Sequence, residues 1–117
     1  MSRPERVPGP LRAVLLAVGA AGCTPRVVSG PASKAEFLDA VAEAFAFPPW
    51  FGRNYDALAD CLADLSWLPG GRFALVWVGW ERLRAADPAA FDVLQEILAA
   101  AVTADRLAVY LVDDPPG

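Results

Sequence analysis

The sequence predicts an α/β fold in which a small three-stranded parallel sheet is packed by helices. Residues 73–78 and 107–112 are continuous apolar runs of β-branched and aromatic residues, typical of strands buried on both faces. Residues 26–28 form a shorter strand candidate. Helical patterns separate the three strands, and strands joined through helices usually pair in parallel with right-handed crossovers. The predicted order of elements is therefore α β α α β α α β.

The first helix is predicted near the N-terminus, because apolar residues recur with helical spacing from Leu11 to Val18 and Gly22 suits a helix end. The same segment is apolar, follows arginines and precedes Cys23, so it also resembles a bacterial lipoprotein signal with Cys23 as the lipidated residue. It is too short to span a bilayer. We expect a folded helix in a cytoplasmic protein without membrane contact, with lipidation at Cys23 as the alternative.

Capping residues predict the starts of three further helices. Ser33 reads as an N-cap with Glu36 in capping-box register, and Asn54 is placed to cap a helix that runs to about residue 65. Asp87 is followed by Pro88, which suits a first helical position. At 117 residues we expect one domain over residues 1–117, with a core over residues 26–112 and an N-terminal helical extension over residues 1–25.

The composition excludes several classes of site. The chain has no histidine, which removes Ser-His and Cys-His nucleophiles, and its two cysteines lack the soft ligands of a zinc site. No cofactor is therefore expected. Residues 35–64 hold six acids against one arginine, a balance that repels nucleic-acid phosphates and attracts a basic protein.

Three of those acids are spaced four residues apart on the helix predicted from Asn54. Asp60 and Asp64 lie about 40° and 80° round the helix axis from Asp56, and no lysine or arginine follows any of them at i+4. Like charges at this spacing destabilise a helix by roughly 0.2–0.5 kcal/mol per pair. The apolar residues of the helix occupy the opposite sector: Leu58, Cys61, Leu62 and Leu65. Spacing alone fits either a solvated face or a surface kept open for a partner.

Two adjacent aromatics precede this helix. Trp50 and Phe51 lie between a proline pair and Gly52, and adjacent loop residues seldom both fold into a core. We expect one of them to stay exposed, and an exposed aromatic beside carboxylates is typical of protein-binding surfaces.

Residues 50–62, WFGRNYDALADCL, resemble the signature of the barstar family, the intracellular inhibitors of barnase-type ribonucleases. That signature runs aromatic-aromatic-Gly-x-Asn-x-Asp-Ala-Leu-x-Asp-Cys-Leu. Ten positions match it without a gap: Trp50, Phe51, Gly52, Asn54, Asp56, Ala57, Leu58, Asp60, Cys61 and Leu62. The order of elements over residues 26–112 also resembles the family's parallel sheet with packed helices.

The resemblance implies a non-enzymatic inhibitor that binds a basic ribonuclease, or another toxin nuclease, as a monomer in a 1:1 complex. The helix and the preceding loop would enter the nuclease active-site cleft, where the acids meet the arginines and lysines that hold RNA phosphate. Asp60 stands at the family's central acidic contact, Asp56 at a second one and Trp50 at an aromatic contact. The expected partner-binding residues are Trp50, Phe51, Gly52, Asn54, Asp56, Ala59, Asp60, Asp64 and Trp67.

Two positions depart from the founding inhibitor of that family. Ala59 replaces an aromatic between the two aspartates, and the late helix offers Ala99 where a further acid is expected, with Glu96 the nearest one. Two alternatives therefore stay open. One is an interaction module of the same fold with a different partner, and the other is a metal-dependent phosphoryl-transfer enzyme with magnesium on Asp56, Asp60 and Asp64.

Overall fold

The computed structural model describes residues 4–103 and 105–113, so both ends of the predicted domain, residues 1–3 and 114–117, lie outside the described residues. It confirms the α/β class and the parallel sheet. Four strands pair in parallel in the order β1-β4-β3-β2. The elements are β1 (Glu5–Pro8), α1 (Leu11–Ala20), β2 (Cys23–Ser29), α2 (Lys34–Ala44), α3 (Tyr55–Asp64), β3 (Arg72–Val78), α4 (Trp80–Ala86), α5 (Pro88–Ala101) and β4 (Leu107–Asp113).

The prediction of three strands is wrong by one, because β1 adds a strand at the edge of the sheet. Its four residues include a single aliphatic side chain, Val7, so it carries no alternating or continuous apolar pattern. Such short, charged strands ending in proline are typical of sheet edges, where they discourage further pairing. The Arg6 guanidinium also bonds the Asp113 carboxylate at the end of β4, at 3.2 Å. The N-terminal extension is thus a strand and a helix, and β2 begins at Cys23, not at residue 26.

One face of the sheet carries most of the core. Side chains alternate along β3, so that Phe73, Leu75 and Trp77 point to the face covered by α2, α3, α4 and α5. The pattern is repeated on β4. The helices contribute buried apolar residues to the same cluster: Phe37, Leu38, Val41, Leu58, Leu62, Trp80, Leu83, Phe91, Leu94 and Leu98.

Helix α1 covers the opposite face of the sheet. Val14 and Val18 of α1 pack with Ala74 and Val76 of β3, and Cys23 belongs to the same buried cluster. The predicted helix near residue 11 is therefore confirmed. No helix in the described ranges is both long and apolar enough to cross a membrane. Lipidation of Cys23 stays a prediction.

The predicted helix caps are confirmed. Ser33 Oγ accepts a hydrogen bond from the Glu36 amide at 3.1 Å, and Asp87 Oδ1 accepts one from the Ala90 amide at 3.1 Å. In the capping box, however, the Glu36 carboxylate accepts from the amide of Ala32 instead of the amide of Ser33. These caps satisfy amide groups that have no partner inside their helices.

Candidate partner-binding surface

Helix α3 has one buried and one acidic face, as its sequence predicts. Leu58, Cys61 and Leu62 are buried against the core. The three aspartates of the helix, Asp56, Asp60 and Asp64, are all exposed, and Ala59 is half-buried beside them. The burial of one stripe therefore fixes the acids on the outer surface.

The start of α3 is fixed by Asn54. Its side-chain oxygen accepts a hydrogen bond from the amide of Ala57 at 2.8 Å, which is an N-cap. The residue before it, Arg53, adopts a left-handed backbone with φ of 53°, which is uncommon for a residue other than glycine. Its guanidinium bonds the Asp39 carboxylate of α2 at 2.7 Å, so the only arginine of this acidic region is directed toward α2.

The end of α3 is held by Arg106, which lies just before β4. The guanidinium donates to the carbonyl of Leu65 at 2.7 Å, to that of Pro69 at 2.8 Å and to that of Gly71 at 2.6 Å. It also lies over the Phe73 ring, 5.0 Å from the centroid. Sequence reasoning missed this residue, because its acceptors are backbone carbonyls 35 to 41 positions away and leave no residue-type signal.

No cation among the described residues forms an ion pair with the three aspartates of α3. Across residues 4–103 and 105–113, the ion pairs are Arg6–Asp113 and Arg53–Asp39, and neither involves α3. The carboxylates thus face solvent without compensation. This arrangement favours an incoming positively charged surface.

The loop before α3 divides its two aromatics between solvent and core, as predicted. Trp50 is 68% exposed. Phe51 packs edge-on against Phe47, with ring centroids 4.9 Å apart, and its amide closes a turn onto the Pro48 carbonyl at 3.0 Å. The fixed position of Phe51 leaves Trp50 on the outside.

Two other predicted contact residues, Gly52 and Trp67, have structural roles within the chain. A side chain at Gly52 would bring its Cβ within 3.1 Å of Asn54 Nδ2, so this glycine leaves room for the cap of α3. Trp67 is half-buried, and its indole N–H donates to the Phe45 carbonyl at 2.9 Å. Its ring packs edge-on against Phe47, at 5.8 Å. Trp67 therefore supports the loop, and its contact with a partner stays a prediction.

A groove runs between α3 and α5 beside the acidic face. Its volume is about 460 Å³, and it contains one carboxylate from each helix, Asp60 and Glu96. Nearby, burial raises the pKa of the Cys61 thiol, and the negative charges of Asp60 and Asp64 raise it further. The remaining lining residues are aliphatic: Ala59, Ala63, Ile97, Ala100 and Ala101.

Among the described residues, no group of side chains forms the metal site that a metal-dependent enzyme would need. Within the described part of the chain, no three side chains of the acidic, cysteine or histidine types converge as ligands of one ion would. Carboxylates on successive turns of one helix diverge, whereas hard cations need several oxygen ligands around one point.

Comparison with known protein families identifies a family to which most of the chain is similar. The family described as Barstar (barnase inhibitor) matches residues 27–112, which include α3, its preceding loop and the groove. No curated protein is significantly similar to the chain. The matched residues make up most of the sequence, and the chain therefore belongs to the Barstar family.

Proposed function

We propose that this member of the Barstar family inhibits a basic ribonuclease by placing α3 and the preceding loop in the active-site cleft of the enzyme. The observation that carries the proposal is the outer face of α3. It presents three exposed carboxylates, Asp56, Asp60 and Asp64, and no cation of the described residues pairs with them. Asp56 lies in the first turn, where the helix favours a negative charge, but Asp60 and Asp64 gain no such stabilisation. A basic partner could pair with all three.

The chemistry of such a cleft fits carboxylates. A ribonuclease holds the phosphates of RNA with arginine and lysine side chains, and carboxylates can accept the same hydrogen bonds. Charge-assisted pairs of this kind are roughly twice as strong as neutral hydrogen bonds, and arginine forms them in a bidentate geometry. The chain would therefore act by occupying the cleft and not as an enzyme.

Each part of the surface has a distinct role in this proposal. Asp60, in the middle of α3, makes the central pair with the enzyme, and Asp56 and Asp64 extend the acidic face by one turn on either side. Trp50 supplies the apolar contact. Burial of its exposed ring against the enzyme would remove apolar area from water, which stabilises a complex by about 25 cal/mol per Å². Asn54 positions the acids by fixing the first turn of the helix.

The proposal is tested by inhibition of RNA cleavage by a panel of barnase-type ribonucleases. We expect the chain to inhibit at least one of them with a 1:1 stoichiometry, and we expect inhibition to weaken as salt rises, because salt screens exposed charges. Loss of one partner of a desolvated charge pair costs about 3–5 kcal/mol. Asp60→Ala should therefore weaken binding by about 100-fold or more.

Glu81→Ala is the matched control, because it removes the same charge from an exposed position on α4. Its affinity for the enzyme should equal that of the unaltered chain. If the chain inhibits none of the ribonucleases, or if Asp60→Ala inhibits as well as Glu81→Ala, the proposal is wrong.

A second candidate, a protein-interaction module with a different partner, is favoured by Ala59. The small side chain leaves the centre of the acidic face open onto the groove, where the family resemblance predicts an aromatic. This candidate predicts that no ribonuclease is inhibited, while a basic protein of another class binds in a manner that Asp60→Ala abolishes.

A further inference from the structure

We infer that a second copy of this chain covers the outer surface of α1, in a symmetric dimer whose two α1 helices pack antiparallel. Helix α1 covers the face of the sheet opposite to that covered by α3. The inference therefore goes beyond the proposed function and does not depend on it. Each protomer of such a dimer keeps its acidic face free. The dimer would replace the monomer expected from the family resemblance and would still bind one ribonuclease per chain.

The outer surface of α1 is apolar although it is exposed. Leu16 is 67% exposed. It lies about 160° round the helix axis from both Val14 and Val18, which are buried against the sheet. Leu16 therefore points away from the core of its own chain. Contact with another apolar surface would remove this side chain from water, which is favourable.

An apolar cleft beside α1 provides space for the leucine of a second copy. The cleft has a volume of about 390 Å³ and lies between α1 and the neighbouring strands β1 and β4. Its wall on α1 includes Ala13 and Ala17, which lie one turn apart, and its strand side includes Val7 and Tyr110. When two α1 helices pack antiparallel about a point near Leu16, the leucine of one helix lies against Ala13 and Ala17 of the other, at the mouth of the cleft.

The charge of α1 favours a second copy as the occupant. Arg12 is the single ionisable residue of the helix, and no carboxylate of the described residues pairs with it. It lies in the first turn, where the helix dipole disfavours a cation, whereas the last turn has no basic residue. In the antiparallel pair, Arg12 of each copy lies near Ala20 of the other, at the end of its helix. Each copy thus supplies the cation that the other lacks.

The same residue excludes a parallel pair. Two parallel α1 helices would place both copies of Arg12 side by side, where like charges repel. They would also bring together helix ends of the same polarity. A symmetric interface brings the same surface of both copies into contact, so a nearly uncharged surface with one complementary cation at each end suits the antiparallel arrangement.

The size of the contact predicts a weak dimer. Helix α1 has ten residues and is therefore about 15 Å long. One such helix from each copy buries less than the roughly 1,200–2,000 Å² of a stable interface. We therefore expect a dissociation constant between about 1 μM and 1 mM, so that dilute samples contain single protomers.

The first test is sedimentation velocity of the full chain over a concentration series up to about 1 mM. Leu16→Glu places a carboxylate where water is excluded and should weaken the dimer at least tenfold, about the effect of 1.4 kcal/mol. The control, Ala86→Glu at the exposed last residue of α4, should change dimerisation less than about twofold. If Leu16→Glu dimerises as well as Ala86→Glu, the inference is overturned. A chain that stays monomeric also overturns it, and flotation of that chain with phosphatidylcholine vesicles would identify lipid as the occupant.

The second test determines the orientation of the helices and leaves Leu16 in place. Ala20→Glu puts a carboxylate beside Arg12 of the other copy in an antiparallel pair, and symmetry forms this ion pair twice. The dimer should become about twofold tighter or more. The gain should disappear when Arg12→Gln is added, and Ala86→Glu should show no gain. If Ala20→Glu dimerises no more tightly than Ala86→Glu, the antiparallel dimer is overturned.

Discussion

Helices α1 and α3 are each ten residues long and cover opposite faces of the same sheet, yet their outer surfaces differ. The outer surface of α1 is nearly uncharged, with Arg12 as its one ionisable residue and Leu16 exposed by 67%. The outer surface of α3 carries Asp56, Asp60 and Asp64. Both helices bury only a stripe of apolar residues, so the fold constrains that stripe and leaves the outer residues free. Burial of the apolar stripe does not require Asp60 or Asp64, and this is the reason for proposing that the acidic face binds a partner.

The largest expected effect is a loss of stability when a buried apolar residue is shortened, compared with the same change at an exposed apolar residue. Leu62→Ala removes a side chain of α3 that is only 2% exposed. It should lower the free energy of unfolding by about 2–5 kcal/mol through lost burial and a residual cavity. The matched control, Leu16→Ala on the outer surface of α1, should change it by no more than about 0.5 kcal/mol. Chemical denaturation measures both, and equal losses would mean that the outer surface of α1 is covered by other residues.

Arg106→Lys should have the next largest effect, because it keeps the charge and loses the fork that reaches the carbonyls after α3. Hydrogen bonds to charged groups contribute about 1.5–3 kcal/mol. We therefore expect a fall of that order in the free energy of unfolding. Amides of residues 65–71 should also exchange hydrogen faster. Arg72→Lys, at an exposed position, is the control. If the two variants have the same free energy of unfolding, the hydrogen bonds of Arg106 do not contribute to stability.

A smaller effect of opposite sign is expected for Asp64→Asn. The substitution removes the repulsion from Asp60 at i,i+4 and a negative charge from the last turn of α3. Stability should rise by about 0.2–0.5 kcal/mol. The gain should shrink when thermal unfolding is repeated at high salt. A loss of stability would show that Asp64 has a favourable contact in the folded chain.

The smallest of these effects at neutral pH is the contribution that titration of the Cys61 thiol makes to stability. Burial and then the charges of Asp60 and Asp64 raise the pKa of its thiol, so the folded state favours the protonated form. That preference contributes stability in full below the unfolded pKa of about 8.5, and the contribution is lost as pH rises through the higher folded pKa. Stability should fall above pH ~8.5, and the fall should be shallower in Cys61→Ala. An identical slope in both chains would exclude the thiol as its source.

Most of the fold can be predicted from local sequence patterns, but strand β1 cannot. Continuous apolar runs mark β3 and β4, because strands buried on both faces need apolar side chains at every position. The caps at Ser33, Asn54 and Asp87 follow from side chains that satisfy free amides. Strand β1 has too few apolar residues to be predicted, since an edge strand of four residues is held by its hydrogen bonds to β4.

The candidate site likewise has features that the sequence predicts and features that it does not. The acidic face, the cap and the exposed Trp50 follow from helical spacing and from the proline pair before α3. The role of Arg106 and the groove do not, because each depends on segments brought together by folding. The sequence identifies Glu96 as the acid nearest to the expected contact on the late helix, but only the packing of α3 against α5 places it in one groove with Asp60.

The most direct test of the central claim is the affinity of Asp60→Asn for an inhibited ribonuclease, measured by titration calorimetry on samples whose stability is known. The substitution keeps the shape of the side chain and removes its charge. It also relieves the i,i+4 repulsions with Asp56 and Asp64, so stability should hold or rise slightly. We predict that affinity falls by about 100-fold or more while the chain stays folded. Unchanged affinity in a folded chain would contradict the assignment of α3 as the inhibitory surface.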